Sequence, residues 1–183
     1  KNTLLFLPLF MAHEFASFSL WFAAVLGFFA FSFLASAVYL VNDLLDLDSD
    51  RAHPSKRMRP LAAGEISIPR ASLAAFLLLL SSAVVCSVLP PAFQWVLGLY
   101  FITTCYYTFH GKRVPVLDII ILASLYALRI FAGGVVVGVA VSQWLLTFSI
   151  FIFVSLACIK RLSELLAVKN REEEFVKGRG YQV

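Results

Sequence analysis

Apolar residues fall into six runs along this chain, set apart by short polar stretches. The first run, residues 3–12, contains Pro8 and is short for a membrane span, as a helix cut within its length would be. The opening residues read as the end of a loop and the start of a span rather than as a cleavable leader. A polar step at His13 and Glu14 leads to the second run, residues 20–45, which ends in a group of aspartates. The third covers residues 69–89; Pro69 suits a first helical turn, and Pro90-Pro91 ends the run. The fourth, residues 92–109, stops at His110-Gly111-Lys112-Arg113. The fifth, residues 116–139, carries Gly133 and Gly134 near its end. The sixth starts near Ser142 and passes into Lys160-Arg161. The last stretch is polar and ends on Gly-Tyr-Gln-Val, which does not read as a natural stop. Runs of this length with almost no charge predict transmembrane helices. The expected fold class is therefore all-α, a polytopic membrane helical bundle of about six spans. It forms one domain over residues 1–183, truncated at both ends.

Composition strengthens this. Hydrophobic residues make up 61% of the chain, against about 45–50% in soluble domains, which argues against a soluble helical protein. The placement of charge says more than its net value. If the aspartates face the cytoplasm, alternation of the spans puts Lys1, the bases from Arg51 to Arg70, the pair Lys112-Arg113 and the bases from Lys160 to Arg179 on that same side. Arg129 alone lies within a span. This positive-inside pattern predicts a multi-pass protein of the cell inner membrane with its active face toward the cytoplasm. Cys86, Cys105 and Cys158 all lie in apolar runs without CxxC or Cys/His spacing, and read as buried hydrophobes. No P-loop, GxGxxG, HExxH or Ser/His/Asp arrangement is present, and nothing points to nucleic acid.

The chemistry is concentrated where the second run ends. Asp43, Asp46 and Asp50 stand at i, i+3 and i+7, which places three carboxylates on one face of a helix, with Asp48 on another. Asn42 adjoins them, and Arg51, His53, Lys56, Arg57 and Arg59 follow. Such a run beside a membrane is costly unless the acids hold hard cations and the bases hold phosphate. Mg2+ takes oxygen ligands and is commonly bound by one or two carboxylates together with substrate phosphates. The expected cofactor is therefore Mg2+, at Asp43, Asp46 and Asp50, bridging a diphosphate that leaves in the reaction. Lys56, Arg57 and Arg59 are the expected phosphate donors.

Asn42-Asp43-x-x-Asp46-x-x-x-Asp50 resembles the NDxxDxxxD signature of the UbiA superfamily of intramembrane prenyltransferases. The longer pattern His53-Pro54-x-Lys56-Arg57-x-Arg59-Pro60 with Ala63-Gly64 resembles the branch related to decaprenyl-phosphate phosphoribosyltransferase. So do the opening Lys1-Asn2, Leu117-Asp118, Arg129 with the following Ala-Gly-Gly, and Lys160-Arg161-x-x-Glu164-Leu165. The resemblance implies about nine spans in a full protein and a tunnel for a polyprenyl chain. It also implies transfer of a 5-phosphoribosyl group from phosphoribosyl pyrophosphate to a polyprenyl phosphate.

One departure from the family pattern bears on the substrate. Members that use prenyl diphosphates usually carry a second aspartate-rich motif after the sixth span. Here that region reads KRLSELLAVKNREEEF, with Lys160, Arg161 and the single acid Glu164 at its front. Bases there suit a lipid monophosphate that attacks as a nucleophile. Lys160 and Glu164 also have the spacing of an ordinary i,i+4 helix pair, and Glu172-Glu173-Glu174 reads as a solvated face. Asp118 is expected to join the metal site or bind a sugar hydroxyl. Lys112 and Arg113 are expected to add phosphate contacts, and Arg129, deep in its span, to need a partner. The alternative is prenyl transfer from a prenyl diphosphate to an aromatic or other small acceptor. Homo-oligomerisation is left open. A transporter would place ionisable groups near the midplane, whereas here nearly all charge is at one face.

Overall fold

Helices form along the apolar runs because only a helix satisfies its own backbone in lipid without a closed barrel. A computed structural model describes residues 1–13, 16–53 and 56–169, with the side chains at 113 and 167–169 outside the description. A 3-10 turn at Asn2–Phe6 leads into α1 (Leu7–Met11) and then α2 (Phe18–Leu45) and α3 (Leu47–Ala52). A 3-10 turn at Lys56–Met58 precedes α4 (Ile68–Ser87) and α5 (Pro91–Phe109). A third such turn, Gly111–Arg113, precedes α6 (Leu117–Val137) and α7 (Gln143–Lys169), and no strand occurs among the described residues. Glu14, Pro54 and Glu172-Glu173-Glu174, with the bases beyond 169, lie outside them.

Among the described residues, four helices are long and apolar enough to cross a membrane: Phe18–Leu45, Ile68–Ser87, Leu117–Val137 and Gln143–Leu166. The other two expected spans are weaker. The 19 residues of α5 reach about 28 Å, but Gln94, Thr103, Thr104 and three tyrosines dilute its hydropathy. The first run gives only a short apolar helix, Asn2–Met11.

Small residues govern the packing, as in other membrane bundles. Ala24, Gly27, Ala30 and Ala37 are buried on α2, and Ala71, Ala75 and Ser82 on α4; these two helices pack along one another. Ser82 Oγ donates to the Ala30 carbonyl at 2.8 Å across them. On its other side the bundle places α6 between α5 and α7. Phe31 and Tyr100, both buried, meet with ring centroids 4.4 Å apart. Large side chains point outward instead: Phe18, Trp95 and Trp144 are all more than four-fifths exposed. Each lies near the start of α2, α5 or α7, the ends away from the aspartates, as expected of an interfacial aromatic belt.

Two glycines near the end of α6 have separate reasons. A Cβ on Gly133 would lie 2.0 Å from the Leu5 carbonyl oxygen, so the first turn and α6 meet backbone to backbone. The helix itself ends further on. Gly138 takes φ 69°, and the Val139 N–H donates to the Gly134 carbonyl at 2.9 Å, a Schellman-type closure.

Lys1 departs from expectation. Rather than joining the bases near the aspartates, its Nζ lies 5.9 Å from the centre of the Tyr126 ring. Its neighbour Asn2 bonds Arg129 and Ser32, both within the middle of their helices. The reason is length: the ten-residue stretch Asn2–Met11 covers about 15 Å, half a bilayer core. It packs in the half of the bundle away from the aspartates.

Candidate active site

The three aspartates do not share one continuous helix. The chain breaks at Asp46 (φ −93°, ψ 7°), between α2 and α3. Helical hydrogen bonds persist on both sides: the Asp46 N–H donates to the Asn42 carbonyl at 2.9 Å and the Asp50 N–H to the Asp46 carbonyl at 2.8 Å. The break is small enough that Asp43 and Asp50 still share a partner. Arg59 Nη1 donates to Asp43 Oδ1 at 2.9 Å and to Asp50 Oδ2 at 2.7 Å. Lys56 Nζ stands 3.8 Å from Asp50 Oδ1. Asp50 is buried, Asp43 and Asp46 are half-buried, and Asp48 is exposed on another face as its spacing predicts. Arg57 is exposed.

The loop is folded back by apolar contacts. Leu47 packs with Leu61 and Ala71 in a small satellite core. The Ala63 N–H donates to the Arg59 carbonyl at 2.8 Å, and the turn closes at Gly64 with φ 81°, a conformation that favours glycine. These contacts set Arg59 over the carboxylates.

Lys112 completes this cluster from the far end of α5. Its Nζ donates to both Asp46 carboxylate oxygens at 2.8 Å and approaches Asn42 Oδ1 at 3.5 Å. Asn42 Nδ2 in turn donates to Asp46 Oδ2 at 3.2 Å. Gly111 permits the approach, since a Cβ there would lie 2.7 Å from Ile121 Cδ1 on α6.

A second cluster joins α5, α6 and α7. Arg161 Nε donates to Asp118 Oδ2, Nη1 to Glu164 Oε2 at 2.6 Å, and Nη2 to Tyr107 Oη at 3.4 Å. Asp118 and Arg161 are buried; Lys160 beside them is exposed. The start of α6 is set by a tight turn. Val116 has φ 68° and ψ −45°, and the Leu117 N–H donates to the Pro115 carbonyl at 2.8 Å. This is a γ-turn, rarely adopted by a β-branched residue, and it lies two residues before Asp118. The expectation that Arg161 is presented to a lipid phosphate is not what this geometry shows: its side chain is turned into the bundle onto two acids. Asp118 likewise faces Arg161, and Glu164 pairs with Arg161 three residues before it.

Arg129 stands apart from both clusters, about 16 Å of helix rise from Asp118. It donates to three neutral groups: Asn2 Oδ1 at 3.1 Å, the Leu125 carbonyl at 2.6 Å and Tyr100 Oη at 2.7 Å. The rings of Phe31, Tyr100 and Tyr126 surround its guanidinium, a cation–π environment. It acts as a structural tie between the first turn, α5 and α6. Neither Tyr100 nor Asn2 stood out in the sequence as its partner. The only sequence signal was a charge too deep to be left unsatisfied.

A family model described as "UbiA prenyltransferase family" matches residues 3–177. The chain belongs to the UbiA prenyltransferase family. It is 41% identical over 145 residues to a decaprenyl-phosphate phosphoribosyltransferase of Corynebacterium glutamicum, covering 77% of this chain and 43% of that protein. It is 35% identical over 187 residues to the nodulation protein NoeC of Azorhizobium caulinodans, covering all of this chain and 59% of that protein. A solved UbiA homologue from Archaeoglobus fulgidus, bound to DMAPP and Mg2+, superposes with a TM-score of 0.75 at 25% identity, covering 92% of this chain and 61% of that one. The chain thus spans about half the length of these relatives.

The donor set at Asp43, Asp46, Asp50 and Asn42 is all oxygen and suits a hard divalent ion. Among the described residues no three acids, histidines or cysteines stand ready as a metal cage. The reason is visible: Arg59 fills the space between Asp43 and Asp50, and Lys112 covers Asp46. Asp43 and Asp50 share the Arg59 charge, and the Arg59 side chain is 41% exposed, so it has water to move into. The residues fit Mg2+ once Arg59 leaves Asp43 and Asp50 and Lys112 leaves Asp46.

Proposed function

We propose that this protein transfers a 5-phosphoribosyl group from phosphoribosyl pyrophosphate to a polyprenyl phosphate, with the aspartate end of the bundle facing the cytoplasm. The observation that carries this is the meeting of Asp43, Asp46 and Asp50 with Arg59, Lys56 and Lys112 at one end of an apolar bundle. A diphosphate and its divalent ion would satisfy both halves of that cluster. Asp43, Asp46 and Asp50, with Asn42, hold Mg2+ with the donor pyrophosphate. Bound magnesium neutralises charge building on the departing pyrophosphate. Arg59 leaves the carboxylates and, with Lys56, Arg57 and Lys112, takes up phosphate oxygens. Lys160 meets the lipid phosphate.

In the reaction the bond from the anomeric carbon to the pyrophosphate oxygen breaks, and a lipid phosphate oxygen forms a new bond to the same carbon. The products are polyprenyl phosphoribose and pyrophosphate. The lipid phosphate is already ionised, so the step needs no general base. The similarity to decaprenyl-phosphate phosphoribosyltransferase and the exposed Lys160 on α7 support this donor and acceptor. The solved homologue bound to DMAPP and Mg2+ favours the second reading, prenyl transfer from a prenyl diphosphate.

The test is a kinetic split. Lys160→Ala is expected to raise the KM for polyprenyl phosphate by roughly tenfold, the loss of one charge-assisted hydrogen bond, while the KM for phosphoribosyl pyrophosphate changes much less. Unchanged dependence on the lipid phosphate would reject this role.

A further inference from the structure

Each aspartate of the candidate site already holds a cation, and the cations differ in how freely they can leave. Arg59 binds Asp43 and Asp50 from a side chain 41% exposed, and Lys56 stands beside Asp50 from one 43% exposed. Both can swing into water. Lys112 binds Asp46 from a side chain only 15% exposed. It comes from a distant part of the chain, the turn Gly111–Arg113 after α5, which Gly111 lets approach Ile121 on α6. Its Nζ donates to both Asp46 oxygens at 2.8 Å, the oxygens a divalent ion would need. Taking a covered ammonium off its carboxylate is costly unless another anion receives it.

We infer that Lys112 makes metal entry depend on diphosphate. A divalent ion arriving alone at Asp46 meets an ammonium on the same two oxygens, and two cations on one carboxylate repel. A diphosphate arriving alone finds Lys112 engaged by Asp46 and faces the negative charge of the aspartates. When the two arrive together, partners are exchanged. Asp46 passes to the metal, and Lys112 passes to a phosphate oxygen in a charge-assisted bond that replaces the one given up. The site therefore takes the metal–diphosphate pair in preference to either member. The device is symmetric: Asp46 withholds Lys112 from metal-free diphosphate as Lys112 withholds Asp46 from a lone metal. This rests on the metal reading of the preceding subsection.

The test measures each ligand separately. The full protein in nanodiscs of zwitterionic lipid is dialysed to equilibrium against Mn2+ alone, against labelled inorganic pyrophosphate with a chelator, and against both together. Empty nanodiscs are the blank, and Mn2+ is read by EPR. Wild type is expected to bind Mn2+ weakly alone and firmly with pyrophosphate. Lys112→Met is expected to bind Mn2+ alone roughly tenfold more tightly than wild type, within the usual range of coupling between ligands. Arg57→Met removes the same charge from an exposed residue outside the Asp46–Lys112 pair, and is expected to change that affinity less than twofold. Asp46→Asn keeps the side chain's shape and is expected to bind metal-free pyrophosphate several-fold more tightly. It decides the matter where Lys112→Met does not fold. A residue that only contacts phosphate would weaken pyrophosphate binding on removal and leave the affinity for Mn2+ alone unchanged. That result in folded Lys112→Met, an equal gain in Arg57→Met, or no gain for pyrophosphate in Asp46→Asn would each overturn the inference and leave the metal reading standing. No Mn2+ in wild type even with pyrophosphate overturns both. Neither sugar nor lipid enters the measurement, so a failure of phosphoribosyl transfer leaves the inference in place.

Discussion

Asp46→Asn is expected to lower turnover by roughly 100- to 1000-fold, the scale reported when one preorganised charge-stabilising group is removed from an active site. The substitution changes almost no volume. Asparagine can still accept from Lys112 and from Asn42, so the meeting of the α2–α3 junction with the end of α5 should persist. What disappears is one negative charge from the set that holds the divalent ion. The magnesium dependence of the residual rate should shift to higher concentrations, and the melting temperature should move little. Full activity at ordinary magnesium would remove Asp46 from the metal site. A collapse of thermal stability would instead assign the Asp46–Lys112 pair a structural role.

The second large effect is on stability. Gly133→Val is expected to destabilise the bundle by about 3 kcal/mol, the upper part of the range for overpacking. The atom a Cβ would strike is a backbone oxygen, that of Leu5, at 2.0 Å; no side-chain rotation can relieve it. The first turn must move off α6, taking with it the Asn2 contacts to Arg129 and Ser32. Gly98 is the control, because nothing lies within 4 Å of the Cβ it would gain, so Gly98→Ala should melt at or slightly above the wild-type temperature. Thermal unfolding of the three proteins in the same detergent decides it. Equal melting of Gly133→Val and wild type would mean that the first turn does not pack on α6 as described.

The contrast between these two sites shows what was legible in the chain. Asp43, Asp46 and Asp50 announce themselves by spacing, because their relation is local and follows from residues per turn. The break at Asp46 was not legible, since nothing in that spacing distinguishes one helix from two that retain i→i−4 bonds across the joint. Helical character and an apolar exterior followed from the length of the runs. Depth did not: the position of Lys1 depends on how far a ten-residue stretch reaches, and side-counting assumes a complete crossing. The long-range partners were the hardest to see. Lys112 and Asp46 are 66 residues apart, and Arg161 and Asp118 are 43 apart. Each was a plausible phosphate or metal ligand by itself. Only packing of α6 between α5 and α7 shows that Arg161 points inward, onto acids, rather than toward a lipid.

The most direct test of the proposed activity uses the full protein in nanodiscs with magnesium, in two parallel reactions. One receives labelled phosphoribosyl pyrophosphate and a polyprenyl phosphate. The other receives a labelled prenyl diphosphate and 4-hydroxybenzoate, and a chelator control accompanies each. The expected result is label entering the lipid fraction in the first reaction, abolished by chelation, with no product in the second. Product in the second reaction alone would contradict phosphoribosyl transfer and make the protein a prenyl transferase acting through the same aspartates.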